Sequence, residues 1–195
     1  MSQPIPPVPP SPPEEREYAY RHSGIIGAIL AFISLALPWW VVNISSSEMG
    51  YPYSAVGTVY LYQYSVSIFG VGAIVSSNLP LHWYATTALV FLILSGLLGL
   101  IGYFIVSGRK VALALGGILA LFSIIIFSVG LQNDISNGAV SNYPTGASLF
   151  SSGSYSLLGV SINYSAYLSF GFWLALVATI IMFAGIHQEN KKEWY

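Results

Sequence analysis

The sequence predicts an all-α transmembrane four-helix bundle with a small antiparallel β-sheet formed by the two extracellular loops. Of its 195 residues, 55% are hydrophobic and 7% are charged, whereas about 25% are charged in an average soluble domain. All six Lys and Arg residues lie in three short stretches, 16–21, 109–110 and 191–192, which border long apolar segments. Because Lys and Arg are enriched on the cytoplasmic side of membrane helices, this distribution predicts that both termini are cytoplasmic, in a multi-pass protein of the plasma membrane.

Four segments are apolar and long enough to cross a bilayer. A hydrocarbon core requires about 20 helical residues, because lipid offers the backbone no hydrogen-bond partner. The predicted spans, none of which contains Asp, Glu, Lys or Arg, are 24–42, 84–106, 111–131 and 166–186. The remaining segments are a cytoplasmic arm at 1–23, an outer loop at 43–83, a cytoplasmic turn at 107–110, a second outer loop at 132–165 and a tail at 187–195.

Aromatic residues lie at the predicted outer ends of the spans. Trp39 and Trp40 end the first span, Trp83 and Tyr84 begin the second, and Tyr167 and Trp173 lie near the start of the fourth. Their rings are apolar with a polar edge, which suits the headgroup layer, so we expect these side chains at the membrane–water interface.

Small residues recur four positions apart within the spans. Small side chains on one helix face let backbones approach closely in lipid. The predicted helix-packing residues are Ser95, Gly99, Ala112, Gly116, Ala120, Gly171 and Ala175. The pattern leaves two alternatives open, which are packing within one chain and a homo-oligomer interface.

The two outer loops contain only Glu48 and Asp134 as full charges and are rich in Ser, Tyr and Asn. Residues that favour strands predict β-structure at 58–64, 65–71 and 155–164, with Gly153 and Gly159 as turns. We expect one small antiparallel sheet built from both loops. Two sequons predict glycosylation candidates at Asn43 and Asn163, because Asn-x-Ser is the acceptor pattern.

The residues show no pattern typical of catalysis. The chain has no cysteine, and its three histidines are not spaced as metal ligands. We therefore expect no enzyme activity, no cofactor and no metal, and a net charge of −1 argues against a nucleic-acid partner. His82 is interpreted as an interfacial residue and Asp134 as a solvated loop acid, and Ser and Thr within the spans are expected to bond back to their own helix.

Residues 4–13 are rich in proline, which favours an extended polyproline II conformation. Pro4, Pro7 and Pro10 have the Pro-x-x-Pro spacing that fits aromatic grooves of binding domains. A cytoplasmic docking site and a disordered spacer are both consistent with this composition.

The chain resembles the claudin and peripheral-myelin-protein superfamily of four-helix membrane proteins. Residues 35–40, Leu-Ala-Leu-Pro-Trp-Trp, resemble that family's Leu-Pro-x-Trp exit from the first helix, and residues 169–173, Ser-Phe-Gly-Phe-Trp, open the fourth span. The resemblance implies a sheet formed by the outer loops. The first loop departs from the family, because it has Gly57-Thr58-Val59 in place of Gly-Leu-Trp and lacks the two cysteines, so no disulfide carries over.

These observations predict a non-enzymatic integral membrane protein that makes lateral or cell-surface contacts through neutral outer loops rich in Tyr and Ser. The expected partners are the lipid bilayer, membrane proteins or a second copy, and a cytoplasmic protein at the proline-rich arm. The alternatives are an accessory subunit of a larger membrane enzyme or transporter and a small channel.

Overall fold

The computed structural model describes residues 15–46, 53–69, 73–77, 82–105, 108–138, 147–157 and 160–191. Along these ranges the elements follow in the order α1 Glu15–Ala36, β1 Trp40–Ser46, β2 Tyr53–Val59, β3 Tyr64–Phe69, β4 Ala73–Ser77, α2 Trp83–Phe104, α3 Arg109–Ser136, β5 Ser151–Leu157, β6 Val160–Leu168 and α4 Phe170–Lys191.

The four helices pack as a ring. The main contacts are those of α1 with α2, α2 with α3, α3 with α4, and α4 with α1. Three helical segments are long and apolar enough to cross a membrane, namely α2, α3 and the Phe170–His187 part of α4. In α1 the described apolar part, His22–Ala36, is shorter.

The predicted end of the first span at residue 42 is wrong. Helix α1 ends at Ala36, and strand β1 begins four residues later at Trp40. The cause is Pro38, which disfavours the helical conformation at the residue before it and cannot donate a backbone hydrogen bond. The backbone N–H of Trp39 then donates to Val59 O at 2.8 Å, so this part of the chain joins the sheet.

The other helix ends also differ from the predicted spans, most of all at the start of α1, which begins at Glu15, nine residues before the predicted start and within the predicted cytoplasmic arm. Residues 166–168, predicted as the start of the fourth span, belong to β6, and α4 begins at Phe170. Helix α3 continues to Ser136, five residues beyond the predicted end. The apolar length of a segment sets where a span can lie, but hydrogen bonding at its ends sets where the helix stops.

The predicted antiparallel sheet is confirmed, and the strands that the structure describes have the order β4-β3-β2-β1-β6-β5. Its central pair joins the two loops, because β1 pairs with β6 over Trp40↔Leu168 to Ser45↔Asn163. Every neighbouring pair of strands is antiparallel.

Three details of the predicted strands are wrong. Residues 58–64 are not one strand, because β2 ends at Val59 and β3 begins at Tyr64. Residues 60–63 form the turn between them, where Tyr60 N donates to Gln63 O at 2.9 Å and Leu61 is fully buried. Residues 155–164 are not one strand either, because they include the end of β5 and the beginning of β6. Gly153 is not in a turn but within β5, directly opposite Tyr164. The Tyr164 ring covers this glycine, since a Cβ added there would lie 3.1 to 3.3 Å from ring and hydroxyl atoms, an arrangement that compensates for the missing side chain.

One hydrophobic core extends from the helices into the sheet. It includes Phe127 and Phe172 from the helical ring, Trp39 from the turn after α1, and Trp40 and Leu168 from the sheet. The sheet therefore rests on one end of the ring, with one face against the helix ends.

Burial on this face of the sheet also raises the pKa of the Tyr64 phenol, because a low-dielectric environment disfavours the phenolate.

Candidate functional site

Backbone hydrogen bonds hold the sheet to the helices at a joint between the end of α1 and the start of α4. Ser169 N donates to Trp39 O, and Gly171 N donates to Pro38 O, both at 2.9 Å. Gly171 has no room for a side chain, because an added Cβ would lie 2.7 Å from Leu37 O and 2.9 Å from Pro38 O. The sheet is thus fixed to the ring at one end of its central strand pair, where β1 begins and β6 ends.

An aromatic cluster packs against this joint on the side of the helices. The Trp39 side chain is fully buried and its Nε1 donates to Ser34 O at 3.0 Å. Its ring meets Phe127 edge-on at a centroid distance of 5.1 Å and Phe172 at 5.9 Å. Such edge-to-face pairs contribute about 0.5–1.5 kcal/mol each beyond the burial of area.

The expectation that Trp39, Trp40 and Tyr84 face the headgroup layer is therefore wrong. Trp39 and Trp40 have 0% exposure and Tyr84 has 3%. The indole of Trp40 donates to Leu149 O at 3.0 Å, so its polar edge is satisfied by protein. Three members of the predicted set do lie on the surface, namely Trp83 at 72% exposure, Tyr167 at 44% and Trp173 at 47%.

The sheet has a second face, which is turned away from the helices. Along β1 and β6, the core residues Trp40, Val42, Ala166 and Leu168 alternate with others, and alternate residues of a strand point to opposite sides. We call this second side the outer face. Among the residues whose side chains the structure describes, the strand register places on it Val41, Asn43, Ser45, Ser54, Val56, Thr58, Ser65, Ser67, Ser152, Ser154, Ser156, Ser161, Asn163, Ser165 and Tyr167.

The outer face is neutral and mostly hydroxyl-bearing. One row across it runs Ser67, Val56, Asn43, Ser165 and Ser152 on five successive strands. Since strands lie about 4.8 Å apart, this row spans about 19 Å. None of the outer-face residues is charged, so the face offers hydrogen-bonding groups whose charge does not change between mildly acidic and neutral pH.

The two sequons meet in this face. Asn43 lies directly opposite Ser165, and Asn163 lies directly opposite Ser45. Asn163 is exposed, whereas Asn43 is half-buried in the central strand. The structure thus brings together the two glycosylation candidates, which are 120 positions apart in the sequence.

A histidine and an aspartate form a pair where α2 begins and α3 ends. His82 Nδ1 lies 2.8 Å from Asp134 Oδ2, with the side chains 55% and 16% exposed. The Tyr84 ring stacks on His82 at a centroid distance of 5.4 Å. A carboxylate near a helix C-terminus is unfavourable, and the contact with His82 gives this one a polar partner.

The interpretation of Asp134 as a solvated loop acid is therefore wrong. Helix α3 extends past this residue and places it beside the start of α2. The sequence holds a signal for this position, because Phe127, Leu131 and Asp134 are spaced four and three residues apart and so share one helix face.

The seven predicted helix-packing residues are all buried within the single chain. Gly99 lies against α1, where an added Cβ would be 2.9 Å from Gly24 O, and Gly116 lies against α2, 3.2 Å from Ser95 O. Gly171 differs from the others because it lies against the turn after α1 rather than against a helix. Since these positions are occupied by intrachain contacts, they are not available to a second copy.

The expectation that hydroxyls in the helices bond only to their own helix is wrong at two positions. Ser123 Oγ, fully buried on α3, donates to Ala88 O of α2 at 2.7 Å. Ser95 Oγ on α2 lies 3.6 Å from Met182 Sδ on α4. By contrast, Ser128 Oγ donates to Ile124 O in its own helix at 2.8 Å, as expected.

Arg109 connects the two helices of the α2–α3 hairpin. Its side chain is 8% exposed, and its Nε donates to Gly102 O at 3.0 Å. This carbonyl lies in the last turn of α2, where unsatisfied carbonyls and the helix dipole favour a cation. Arg109 thus has a structural role in addition to its place among the basic residues that border the spans.

The remaining predicted residues, Pro4, Pro7 and Pro10, lie outside the described residues. Within the part of the chain that the structure describes, no group of three His, Cys, Asp or Glu side chains converges. In comparisons with known proteins, no family model matches the chain and no curated protein matches it.

Proposed function

We propose that this is a non-enzymatic membrane protein whose four helices cross the plasma membrane, with both termini cytoplasmic, and whose outer face makes lateral or cell-surface protein contacts. The architecture is claudin-like in this proposal. The observation that carries it is a continuous, neutral outer face, assembled from both loops on one end of an apolar helical ring.

The outward sides of the helices support the membrane location. Large apolar side chains are exposed on all four helices, and they include Ile26, Ile29, Ile33, Val90, Leu94, Leu97, Leu115, Ile118, Phe122, Ile125, Val177, Ile180 and Phe183. A soluble monomer rarely exposes an apolar patch larger than a few hundred Å². On α3, exposed residues extend from Val111 to Val129, an interval of 18 residues or about 27 Å, close to the thickness of a hydrocarbon core.

The basic residues support the orientation. Since α1 ends at β1 and α4 follows β6, the start of α1 and the end of α4 lie at the far end of the ring from the sheet. Arg16, Arg109 and Lys191 belong to the helix ends on that side. The positive-inside rule then assigns that side to the cytoplasm and the sheet to the exterior.

The composition of the outer face supports protein contacts. Ser, Asn and Tyr provide adaptable hydrogen bonds and contact area at low cost in side-chain entropy. The aromatic cluster and the joint hold this face on rigid elements, which favours specific binding because little order is lost when a partner docks.

The orientation can be tested by single-cysteine labelling, because the natural chain has no cysteine. Ser152→Cys places a thiol on the exposed part of β5, and His187→Cys places one on an exposed position near the end of α4. On intact cells, a membrane-impermeant maleimide should label the first variant only. Labelling of the His187→Cys variant alone would show that the orientation is inverted.

The contact surface can be tested with a photoreactive residue at two positions. Ser67 lies on the outer face, and Ile180, at 57% exposure, lies on the outward side of α4. Irradiation of cells should attach proteins at position 67 and lipid at position 180. Protein adducts at position 180 alone would instead support an accessory subunit that packs through its helices.

A further inference from the structure

The register between β1 and β6 superimposes the two sequons in antiparallel order. Asn43-Ile44-Ser45 runs opposite Ser165-Tyr164-Asn163, so the Asn of each sequon faces the Ser of the other. Directly opposite residues of an antiparallel pair point to the same side, with Cβ atoms about 4.5–5.5 Å apart, and diagonal pairs are about 7–8 Å apart. Both asparagines are therefore neighbours on the outer face.

The two asparagines differ in what surrounds them. Asn43 is on the central strand, flanked by Val56 on β2 and Ser165 on β6, and its side chain is half-buried. Asn163 is flanked by Ser45 and Ser154, and all three of these side chains are exposed. An attached sugar ring is about as wide as the spacing between strands. At Asn163 it meets only small exposed side chains, whereas at Asn43 it would displace the contacts that half-bury the residue.

We propose that the paired sequons form one glycosylation site, in which Asn163 carries an N-linked oligosaccharide and Asn43 stays unmodified. In this modification the Asn163 side-chain nitrogen bonds to C1 of an oligosaccharide on a polyprenyl diphosphate donor. The bond from C1 to the diphosphate oxygen breaks, the diphosphate leaves on the lipid with the electron pair, and the amide proton passes to a base of the transferase. Since the transferase acts outside the cytoplasm, the inference rests on the orientation proposed above.

A glycan at Asn163 would divide the outer face. It would lie over β6 and its neighbours β1 and β5, and so cover Asn43. Thr58 and Ser67, on β2 and β3, lie beyond β1 and remain open. Protein contacts would then use the β2–β3 half of the face.

The test uses the full chain expressed in cells that N-glycosylate their surface proteins, with glycopeptide mass spectrometry and gel mobility before and after a peptide N-glycosidase. The wild type and Asn43→Gln should carry one glycan on residue 163. Asn163→Gln and Ser165→Ala should carry none, and Ser165→Thr, which keeps the sequon hydroxyl, should retain the glycan. Two glycans on the wild type, or a glycan on Asn43, would overturn the proposal.

A matched control places a new acceptor beside the old one. Ser154→Asn creates the sequon 154–156 on the exposed residue directly opposite Asn163, so the Asn163→Gln/Ser154→Asn chain should regain one glycan. A glycan on this control but none on the wild type overturns the inference.

Labelling of Ser152→Cys in the Asn163→Gln background separates the two proposals. If no chain is glycosylated although this position is labelled from outside, only the glycosylation inference fails. If it is labelled from the cytoplasmic side, the orientation fails and the inference fails with it.

Discussion

Replacing Gly171 by alanine should loosen the joint between the sheet and the helices. The new Cβ would lie 2.5 Å from Trp39 Cδ1, 2.7 Å from Leu37 O and 2.9 Å from Pro38 O. Two of these atoms are backbone, so a side-chain rotation cannot relieve the overlap. Relief to about 3.4 Å requires the start of α4 to move by about 0.7 Å, because interiors are too closely packed to absorb the atom otherwise.

That movement would also break a hydrogen bond. Gly171 N donates to Pro38 O at 2.9 Å, and a shift of about 0.7 Å away from that carbonyl takes the pair beyond good hydrogen-bond distance. Overpacking costs about 1–3 kcal/mol and a lost hydrogen bond about 0.5–1.5 kcal/mol. We therefore expect the free energy of unfolding to fall by about 2–4 kcal/mol, which for a chain of this length corresponds to a Tm lower by about 4–16 °C.

The assay is thermal unfolding of the detergent-solubilised protein, followed by tryptophan fluorescence, which reports on the buried Trp39. The control is Gly108→Ala at the start of α3, where the nearest atom to an added Cβ, Ile105 Cγ2, is 3.5 Å away. The control has no steric overlap, and its only expected cost is the weaker N-cap that alanine provides for α3, so its Tm should fall clearly less than that of Gly171→Ala. Equal Tm values for the two alanine variants would refute the argument that the joint has no room at Gly171.

Three further outcomes are expected. Arg109→Gln removes a charged donor from Gly102 O and should lower the free energy of unfolding by about 1.5–3 kcal/mol in the same thermal assay; a Tm equal to that of the wild type would show that this bond contributes nothing. Ser123→Ala loses an interhelical bond and should cost about 0.6–1.7 kcal/mol, whereas Ser128→Ala, whose hydroxyl bonds to its own helix, should cost clearly less; the reverse order in chemical denaturation would contradict this assignment. Burial raises the pKa of Tyr64 in the folded state above its ordinary value of 10.0, so the contribution of this residue to stability is complete below pH 10 and is lost as the pH rises further. Tyr64→Phe should flatten this alkaline decline in stability. An unchanged pH profile of the variant would exclude Tyr64 as the source of the decline.

The helices and the existence of a sheet could be predicted because both depend on local composition. Long uncharged segments identify α2, α3 and α4. Strict alternation also predicts a face, as in β6, where Ser161, Asn163 and Ser165 alternate with apolar residues. These signals need no knowledge of what a segment packs against.

The predictions that failed depended on tertiary context. Tryptophans at the end of a span have the same sequence pattern whether they face headgroups or protein. Trp39 is buried because α3 and α4 pack against it through Phe127 and Phe172. Residues 58–64 contain aromatic and β-favouring residues, but the chain reverses at 60–63, where Leu61 contacts the core rather than continuing a strand. Likewise, no local pattern indicates that His82 meets Asp134, because the contact requires the relative placement of two helices.

The pairing of Asn43 with Ser165 could not be predicted from the sequence. The register between β1 and β6 is fixed by the two hydrogen bonds of the joint, from Ser169 N to Trp39 O and from Gly171 N to Pro38 O. Once those are fixed, each residue along the strands has a determined partner, because a slip of one position would turn every side chain to the opposite side.

The pairing of β1 with β6 also determines when the sheet can be completed during synthesis of the chain. Its two strands are separated by about 120 residues, so the middle of the sheet closes last, after both intervening helices have been synthesised. Until then, the nascent polypeptide presents β1 as an open edge, which is a template for aggregation. A protein truncated before β6 would therefore lack its final helix and also expose β1 as an unpaired strand, which would make it a substrate for chaperones and quality-control proteases.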